Sequence, residues 1–255
     1  MASSPTDLPI HRFAAPDGVD LAWREMGAGR PVILIHGYFS NAWTNWIRYG
    51  HAAKVADKGF RVIMPDLRGH GESARPHDPA AYPPDVLADD GLALVAHLGL
   101  TDYDLGGYSL GGRTAARMIA RGATPRRAVI AGMGLEGLLH TQGRGGFFKR
   151  VLSNLGTFAR GTPEWMSEAF LKTTGGDAAA LLLILNTFVD TPEADLRRFD
   201  LPVLAIGGAE DDDNGPIPAL ADVLPDVTVV TTPGNHMSAV IKPELGQGIA
   251  DWLAG

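Results

Sequence analysis

The sequence of 255 residues contains no cysteine, and this absence excludes several kinds of chemistry at once. Disulfide bridges, thiol nucleophiles and thiolate metal sites all require that side chain. The sequence also has no helical pair of histidine and glutamate of the kind that binds zinc, so we predict no metal site. Any catalysis must therefore rest on oxygen and nitrogen groups.

Long apolar runs and an excess of positive charge are absent as well. The longest apolar run ends at Asn186 and is far shorter than the ~20 residues that a membrane span needs. The formal charge of −7 argues against a polyanionic partner such as nucleic acid. The start, MASSPTDLPI, has neither the basic nor the apolar segment of a signal peptide. We therefore predict a cytoplasmic protein with no membrane span and no nucleic-acid partner.

Short apolar runs alternate with helical patterns along most of the chain, whose length suits one domain or one domain with an insertion. Strands are predicted over residues 10–14, 19–26, 31–36, 61–66, 103–108, 127–131, 202–207 and 228–231. Helices are predicted over residues 43–58, 84–98, 110–121, 218–223 and 238–253. This alternation predicts an α/β fold, a mostly parallel twisted sheet with helices on both faces.

The alternation breaks between residues 136 and 198. This stretch contains clusters of turn residues, several aromatic side chains and two plausible helices, over 163–173 and 178–188, with no evident buried strand. We therefore predict a core domain formed by residues 1–135 and 199–255. Residues 136–198 are predicted to form a small helical lid over one end of the sheet.

The strongest functional pattern is GYSLG at residues 107–111, which matches G-x-S-x-G between an apolar strand and a helix. In that context the pattern predicts a nucleophile elbow, a sharp turn that exposes a serine. The strained turn needs small residues two positions before and after the serine, and Gly107 and Gly111 provide them. Ser109 is therefore the candidate nucleophile.

A serine hydroxyl needs a base to take its proton. In a fold with this elbow the order along the chain is nucleophile, acid, base, so the histidine must come late. Of the eight histidines, His236 alone lies beyond His140, and it sits between the last predicted strand and the last predicted helix. His236 is therefore the candidate base.

The acid is expected after the strand that ends at Gly207, where four acidic residues crowd together. Asp211 is the first choice to orient the base, and Asp212 is the runner-up. Glu210 and Asp213 are expected to be solvated.

Two other interpretations of the acidic residues fit the sequence less well. Glu136 is a distant alternative acid, since a surface charge at the base of the lid explains it more simply. A calcium-binding loop starting at Asp211 would need glycine at its sixth position, where Pro216 stands.

Two backbone N–H groups are expected to form an oxyanion hole. Leu110 N–H lies at the positive end of the helix that follows the nucleophile. The second donor should come from the loop after the strand at 31–36, with Tyr38 N–H the first choice. His36 lies too early to serve as a second base, and we expect it to tie down its own loop.

These motifs resemble those of the alpha/beta-hydrolase superfamily. The resemblance covers residues 36–46, the stretch GFRVIMPDLRGHGES at 59–73, GGYSLGG at 106–112 and the late His236, and it spans nearly the whole chain except the lid. It implies Ser109 as nucleophile, Asp211 as acid, His236 as base, and Tyr38 and Leu110 as oxyanion donors. A serine nucleophile disfavours haloalkane dehalogenase and epoxide hydrolase activity, because those relatives attack with a carboxylate. The acid loop departs from the family, since three aspartates replace the usual one.

The sequence thus predicts a serine hydrolase that cleaves a small to medium carboxylic ester through an acyl-enzyme and needs no cofactor. Alternatives are another reaction of the same residues, such as carbon–carbon bond cleavage with Arg144 or Trp165 assisting, lactone opening or perhydrolysis. A ligand sensor of the same fold is a third reading. Aromatic and methionine side chains are candidates to line an apolar acyl pocket, although most such residues belong to protein cores. These candidates are Phe39, Trp43, Phe147, Phe148, Trp165, Met166 and Phe188.

Overall fold

Eight strands form one sheet in the computed structural model, which describes residues 8–141 and 143–255. The strands are β1 (His11–Ala14), β2 (Asp20–Gly27), β3 (Arg30–Ile35), β4 (Phe60–Pro65), β5 (Asp104–Tyr108), β6 (Ala128–Ala131), β7 (Val203–Gly208) and β8 (Val227–Thr232). Each lies within one or two residues of its predicted bounds. The N-terminal stretch MASSPTDLPI, which lacks the pattern of a signal peptide, falls largely outside the described residues.

The order of strands across the sheet is β1-β2-β4-β3-β5-β6-β7-β8. β1 pairs antiparallel with β2, and β2 pairs antiparallel with β4. From β4 to β8 every neighbouring pair is parallel. The prediction of a mostly parallel sheet is therefore confirmed.

Ten α-helices are described. They are α1 (His51–Ala56), α2 (Val86–His97), α3 (Leu110–Ala120), α4 (Leu135–Leu139), α5 (Gly145–Ser153), α6 (Pro163–Thr174), α7 (Ala178–Ile184), α8 (Glu193–Leu196), α9 (His236–Ala239) and α10 (Pro243–Ala254). Shorter helical turns occupy Trp43–Ile47, Pro79–Ala81, Leu185–Thr187 and Ile217–Asp222.

Both faces of the sheet are apolar, and helices cover each one. On β3, Ile33 and Ile35 belong to a core cluster with side chains of α2 and α3. Val32 and Leu34, which alternate with them, belong to the cluster on the other face, formed with α1 and α10. Alternate side chains of a strand point to opposite faces, which explains why a continuous apolar run is needed here.

Three predicted helices differ from the structure. The helix predicted over 43–58 is a π-helical turn at Trp43–Ile47 followed by α1, with Gly50 between them in a left-handed conformation (φ 75°). The segment predicted at 218–223 is a 3₁₀ turn. The closing helix predicted over 238–253 is two helices, because Pro243 cannot donate the N–H that a continuous helix would need.

Between β6 and β7 the described residues contain helices and no strand. α6 and α7 correspond to the two predicted helices, while α4, α5 and α8 were not predicted. The boundaries of the lid, residues 136–198, stay a prediction. Among the described residues, no helix combines the length and apolar character that crossing a membrane requires.

Candidate active site

Ser109 sits on a sharp turn between β5 and α3. Its backbone has φ 54° and ψ −116°, a conformation that residues other than glycine rarely adopt. The chain passes very close to β3 here, because a Cβ on Gly111 would lie 2.0 Å from the carbonyl oxygen of Ile35. A Cβ on Gly107 would lie 2.3 Å from the backbone of Gly111. The two glycines therefore permit the turn that presents the serine hydroxyl.

A chain of hydrogen bonds joins three side chains from different loops. Ser109 Oγ lies 3.0 Å from His236 Nε2, and His236 Nδ1 lies 2.9 Å from Asp211 Oδ2. His236 is the first residue of α9, and Asn235 caps that helix by accepting from Met237 N–H and Ser238 N–H. The structure thus brings together residues that are 127 and 25 positions apart in the sequence.

The four acidic residues after β7 have different surroundings. Asp211 is 8% exposed and contacts the His236 ring, whereas Asp212 is exposed. Asp213 pairs with Arg144 at 2.7 Å. The alternative acid, Glu136, is also exposed.

A buried tyrosine donates a hydrogen bond to the carbonyl oxygen of His236. Tyr108 Oη donates to it at 2.6 Å. Burial raises the pKa of Tyr108 well above its usual value, and the carboxylates of Asp211 and Asp213 add to this shift. The phenol therefore stays protonated and acts as a hydrogen-bond donor to the loop that carries His236.

Tyr38 and Leu110 are the residues whose backbone N–H groups are the predicted oxyanion donors. Both residues line a cavity that reaches the serine. Within the described part of the chain, neither N–H donates to a protein acceptor. Leu110 opens α3, so its N–H belongs to the positive end of that helix. Two free donors beside a serine hydroxyl are suited to bind a developing negative charge.

The loop that carries Tyr38 is fixed by buried polar side chains. His36 Nε2 accepts from Leu67 N–H at 3.0 Å, and its Nδ1 donates to the Gly37 carbonyl at 2.8 Å. Asn45 accepts from Gly37 N–H at 2.9 Å. Burial lowers the pKa of His36 to about 4, so the ring is neutral and can accept at Nε2. His36 therefore ties down its own loop, as the sequence predicts, through hydrogen bonds to Gly37 and Leu67.

A cavity of about 230 Å³ opens on Ser109 and His236. Most of its wall is apolar or aromatic, and many of the side chains come from the segment after His236 and from the loop after β3. Its other lining residues are Gly37, Tyr38, Ser40, Thr44, Asn45, Tyr49, Tyr108, Phe170, Met237, Val240 and Ile241. We call this space the His236 cavity.

A second, narrower space reaches Ser109 from the side of α3. It is lined by Leu110 and Arg113 of α3, by side chains of the segment between β6 and β7, and by Tyr38 and Asn214. We call it the Arg113 cavity. The remaining lining residues are Met133, Thr141, Arg144, Gly145, Phe148 and Phe188.

Most of the predicted pocket side chains lie elsewhere. Phe188 and Phe148 line the Arg113 cavity. Phe39 is buried in a cluster with side chains of α5, α6 and α7, and Phe147 packs against that cluster. Trp43 packs on the face of the sheet covered by α1 and α10.

Trp165 and Met166 also lie away from both cavities. The Trp165 ring faces the guanidinium of Arg160 at 5.9 Å, and the Met166 side chain is 55% exposed. Composition alone did not separate core aromatics from pocket aromatics, because both are apolar.

Several cavity residues were missed from the sequence, although a spacing argument was available for some. Met237, Val240 and Ile241 follow His236 at helical intervals, so they were bound to stay close to it. Arg113 lies in the first turn of α3, four residues after Ser109. Tyr49 and Phe170 are distant in sequence and gave no comparable indication.

In the part of the chain that the structure describes, one group of side chains has atoms close enough to hold a metal ion, and it overlaps the candidate site. Oxygen or nitrogen atoms of Asp211, Asp213 and His236 lie within 4.8 Å of one another. Each of them already has a protein partner: His236 Nδ1 faces Asp211, and Asp213 pairs with Arg144. The arrangement is therefore better explained as an acid that orients a histidine ring.

Comparison with known proteins yields one family match. The model of a family described as the alpha/beta hydrolase fold matches residues 30–140. This range includes β3 to β6, the loop of Tyr38 and the turn of Ser109.

Two relatives illustrate the range of similarity. A non-heme chloroperoxidase from Kitasatospora aureofaciens is 29% identical over 261 residues, covering 89% of this chain and 92% of that protein. A non-heme haloperoxidase from Rhodococcus erythropolis is 38% identical over 125 residues, 46% of this chain and 42% of that protein. The chain thus spans less than half of the second relative. Other relatives are epoxide hydrolases.

Solved structures match over nearly the full length. A thermophilic esterase from Thermogutta terrifontis superposes with a TM-score of 0.75 at 25% identity, covering 96% of this chain and 98% of that one. This similarity covers 96% of the chain and so extends into the segment between β6 and β7, most of which lies beyond residue 140, where the family match ends.

Proposed function

This chain belongs to the alpha/beta-hydrolase superfamily, and from that premise we propose that it is a serine hydrolase that cleaves small to medium carboxylic esters. The observation that carries the proposal is the hydrogen-bonded series Asp211, His236 and Ser109, with distances of 2.9 and 3.0 Å. A nucleophile, a base and a group that orients the base, all within hydrogen-bonding distance, form the arrangement that acyl transfer requires.

In the first half-reaction, Ser109 Oγ attacks the acyl carbon while its proton passes to His236 Nε2. Asp211 holds the ring with the other proton on Nδ1 and stabilises the imidazolium. The N–H groups of Tyr38 and Leu110 bind the oxyanion of the tetrahedral intermediate. The bond to the leaving oxygen then breaks, and the proton on Nε2 passes to the departing alcohol.

In the second half-reaction, water replaces the alcohol. His236 takes a proton from water, the hydroxide attacks the acyl carbon, and the proton returns to Ser109 Oγ as the carboxylic acid leaves. Atoms balance over the cycle: one ester and one water give one acid and one alcohol. The residues of this chain supply every proton transfer.

The leaving alcohol belongs in the His236 cavity, because His236 must protonate it and lines only that one of the two spaces beside Ser109. The apolar wall of this cavity suits an alcohol of modest size. We further propose that residues 136–198 act as the lid, since α5, α6 and α7 pack together and carry Phe148 and Phe170 of the two cavity walls.

Perhydrolysis is a second candidate, favoured by the similarity to a chloroperoxidase over most of the chain. The same acyl-enzyme would be attacked by hydrogen peroxide instead of water, giving a peroxycarboxylic acid that oxidises halide. Epoxide opening is less well supported, because the position of the nucleophile carries Ser109 rather than a carboxylate. A sensor without turnover would not require the hydrogen-bonded series to be complete.

The test uses p-nitrophenyl acetate with the wild type and the Ser109→Ala variant. We expect a burst and then steady turnover in the wild type, and a fall in kcat of at least about 10⁴-fold in the variant. A fluorophosphonate should label Ser109 in the wild type alone. Equal and negligible rates with no labelling would contradict the proposal and favour a sensor. Adding hydrogen peroxide and bromide to a simple carboxylic acid then tests for halogenation.

A further inference from the structure

Arg113 is a buried cation with no acidic partner. Its side chain is 8% exposed, and no carboxylate of the described residues lies within 4.0 Å of its guanidinium. Its Nε donates to the Gly137 carbonyl at 3.1 Å, and the guanidinium lies 4.8 Å from the centre of the Phe188 ring. Among residues 8–141 and 143–255, these contacts satisfy the Nε donor, and neither terminal nitrogen has a protein acceptor.

A buried charge is costly when nothing neutralises it. Burial lowers the pKa of Arg113 to about 10, with Asp190 opposing and Arg144 reinforcing this shift, so the side chain still carries its charge at neutral pH. The Asp190 carboxylate is already engaged by Thr141, through its N–H at 2.8 Å and its hydroxyl at 2.7 Å. The fold therefore keeps a positive charge here that Asp190 offsets only from beyond ion-pair distance.

The charge faces a space that reaches the nucleophile. Among the described residues lining the Arg113 cavity, the ionic side chains are Arg113 and Arg144, both positive. Arg144 is paired with Asp213. A neighbouring space of about 270 Å³, which Arg113 and Arg144 also line, contains the acidic side chains Glu136 and Asp213 in its wall. The ionic side chains that share a wall with Ser109 are thus positive, whereas Glu136 and Asp213 line the neighbouring space.

The position of Arg113 relative to the reaction follows from helix geometry. Arg113 N–H donates to the Ser109 carbonyl at 3.0 Å, so Arg113 lies one turn into the helix that Ser109 precedes, and both residues line the Arg113 cavity. The leaving alcohol occupies the His236 cavity, and therefore the acyl group extends from Ser109 past Leu110 into the Arg113 cavity. The Arg113 cavity has a volume of only about 30 Å³, so it suits a short acyl chain and not a long one.

We propose that the Arg113 cavity binds a carboxylate at the far end of the acyl group, so that the preferred substrates are half-esters of short dicarboxylic acids. The inference rests on the proposed ester hydrolysis and names its substrate class. The two terminal nitrogens of Arg113 would donate to the two carboxylate oxygens, the paired geometry that guanidinium groups favour. Thr141 and Asn214 stand in the same wall.

The experiment compares two esters of equal shape. Monoethyl succinate carries a carboxylate where ethyl isocaproate carries an uncharged isopropyl group, and acid release from both is followed in a pH-stat. The measured quantity is the ratio of kcat/KM for the charged ester to that for the neutral one. The wild type is compared with Arg113→Gln, with Arg113→Lys, and with Arg126→Gln as a control at an exposed arginine that lines neither cavity.

We expect the wild type to prefer the charged ester and the ratio to fall about tenfold to a hundredfold in Arg113→Gln, as the loss of charge-assisted hydrogen bonds implies. Arg113→Lys keeps the charge and should restore part of the ratio, while Arg126→Gln should leave it unchanged. A wild-type preference for the neutral ester, or a ratio that Arg113→Gln does not change, overturns the proposal.

A direct binding measurement separates this proposal from the proposed function. Calorimetry with glutarate, which has no ester, should show binding to the wild type that weakens at least about tenfold in Arg113→Gln. If neither ester is turned over but glutarate binds in this way, ester hydrolysis is wrong and the anion site stands. If esters are cleaved but glutarate does not bind, the anion site is wrong. Circular dichroism and thermal melting check that each variant is folded.

Discussion

At the scale of single residues, one carboxylate among four contacts the His236 ring. Asp211 is turned inward, and its backbone is fixed because its N–H donates to the Gly208 carbonyl at 3.1 Å. Asp212, one position later, points to solvent. Although Asp211 and Asp212 are adjacent, the Asp211 carboxylate can orient the base, whereas the Asp212 carboxylate is surrounded by water.

Asp211→Asn and Asp212→Asn form a matched pair. We expect Asp211→Asn to lower kcat about 10⁴-fold, because an amide would favour the wrong tautomer of the ring. Asp212→Asn should change kcat by less than about twofold, since its carboxylate is exposed. Steady-state kinetics with an activated ester measures both, and thermal melting checks that they are folded. A larger loss in Asp212→Asn would reverse the assignment.

The sequence identified these residues to different degrees for physical reasons. Ser109 and His236 could be predicted to meet, because elbow geometry and the order along the chain constrain both. The choice between Asp211 and Asp212 depends on how a loop turns, which no periodic pattern encodes. The placement of Trp165 and Phe39 depends on packing among helices of similar polarity, so aromatic character alone could not locate them.

At the scale of elements, the turn between β5 and α3 depends on how closely the helix approaches the sheet. Gly111→Ala would place a Cβ 2.0 Å from the Ile35 carbonyl oxygen. Backbone cannot yield as a flexible side chain can, so we expect a loss of about 2 kcal/mol or more in the free energy of unfolding. Urea denaturation measures this loss, and activity should fall with it.

The matched control for that substitution is Gly146→Ala. Gly146 lies in α5, and a Cβ there would meet no atom within 4 Å. We expect the free energy of unfolding to stay the same or to rise by about 0.5 kcal/mol, because alanine costs less entropy in a helix. Equal destabilisation in both variants would show that close approach to β3 is not what requires Gly111.

The short helix α9 holds His236 through its first turn. We expect Asn235→Ala to remove the acceptor for Met237 N–H and Ser238 N–H, to cost about 1 kcal/mol of stability, and to lower kcat several-fold. Asn235→Ser should restore most of both. Thr162→Ala removes a comparable cap from α6 and should reduce stability without a matching loss of kcat. Equal effects on kcat in both alanine variants would contradict a positioning role for Asn235.

Element boundaries were predictable where one interaction dominates. Apolar runs located the strands to within a residue or two, because burial on both faces leaves few alternatives. The closing helix was predicted as one piece across Pro243, although proline favours a helix start there. Helices α4 and α8 have five and four residues, too short for a periodic pattern to appear.

At the scale of the whole molecule, the parallel sheet could be predicted from the alternation of strands and helices, but its order could not. Nothing local in the sequence states that β4 pairs outside β3 while β5 pairs on its other side. That order places the ends of β3, β5 and β7 together, where Tyr38, Ser109 and Asp211 emerge. In open α/β sheets, ligands bind outside the carboxyl ends of the strands.

The stability of the whole molecule should depend on pH through two buried histidines at this end of the sheet. Burial lowers the pKa of His36 to about 4 and that of His70 to about 3, with His36 adding to the shift of His70. Their rings lie 5.1 Å apart. Both values are below the ordinary 6.5, so the folded state binds these protons less readily than the unfolded state does.

It follows that these neutral rings stabilise the fold fully above about pH 6.5, and that this contribution disappears as the pH falls towards 4. For His36 the shift corresponds to about 3 kcal/mol. We expect the free energy of unfolding of His36→Gln, measured with urea at a series of pH values, to decline less steeply over this interval than that of the wild type. His140→Gln, at an exposed position, should follow the wild-type curve. Parallel curves for all three proteins would mean that His36 does not titrate with folding, because the carboxyl groups common to them would then account for the whole acid response.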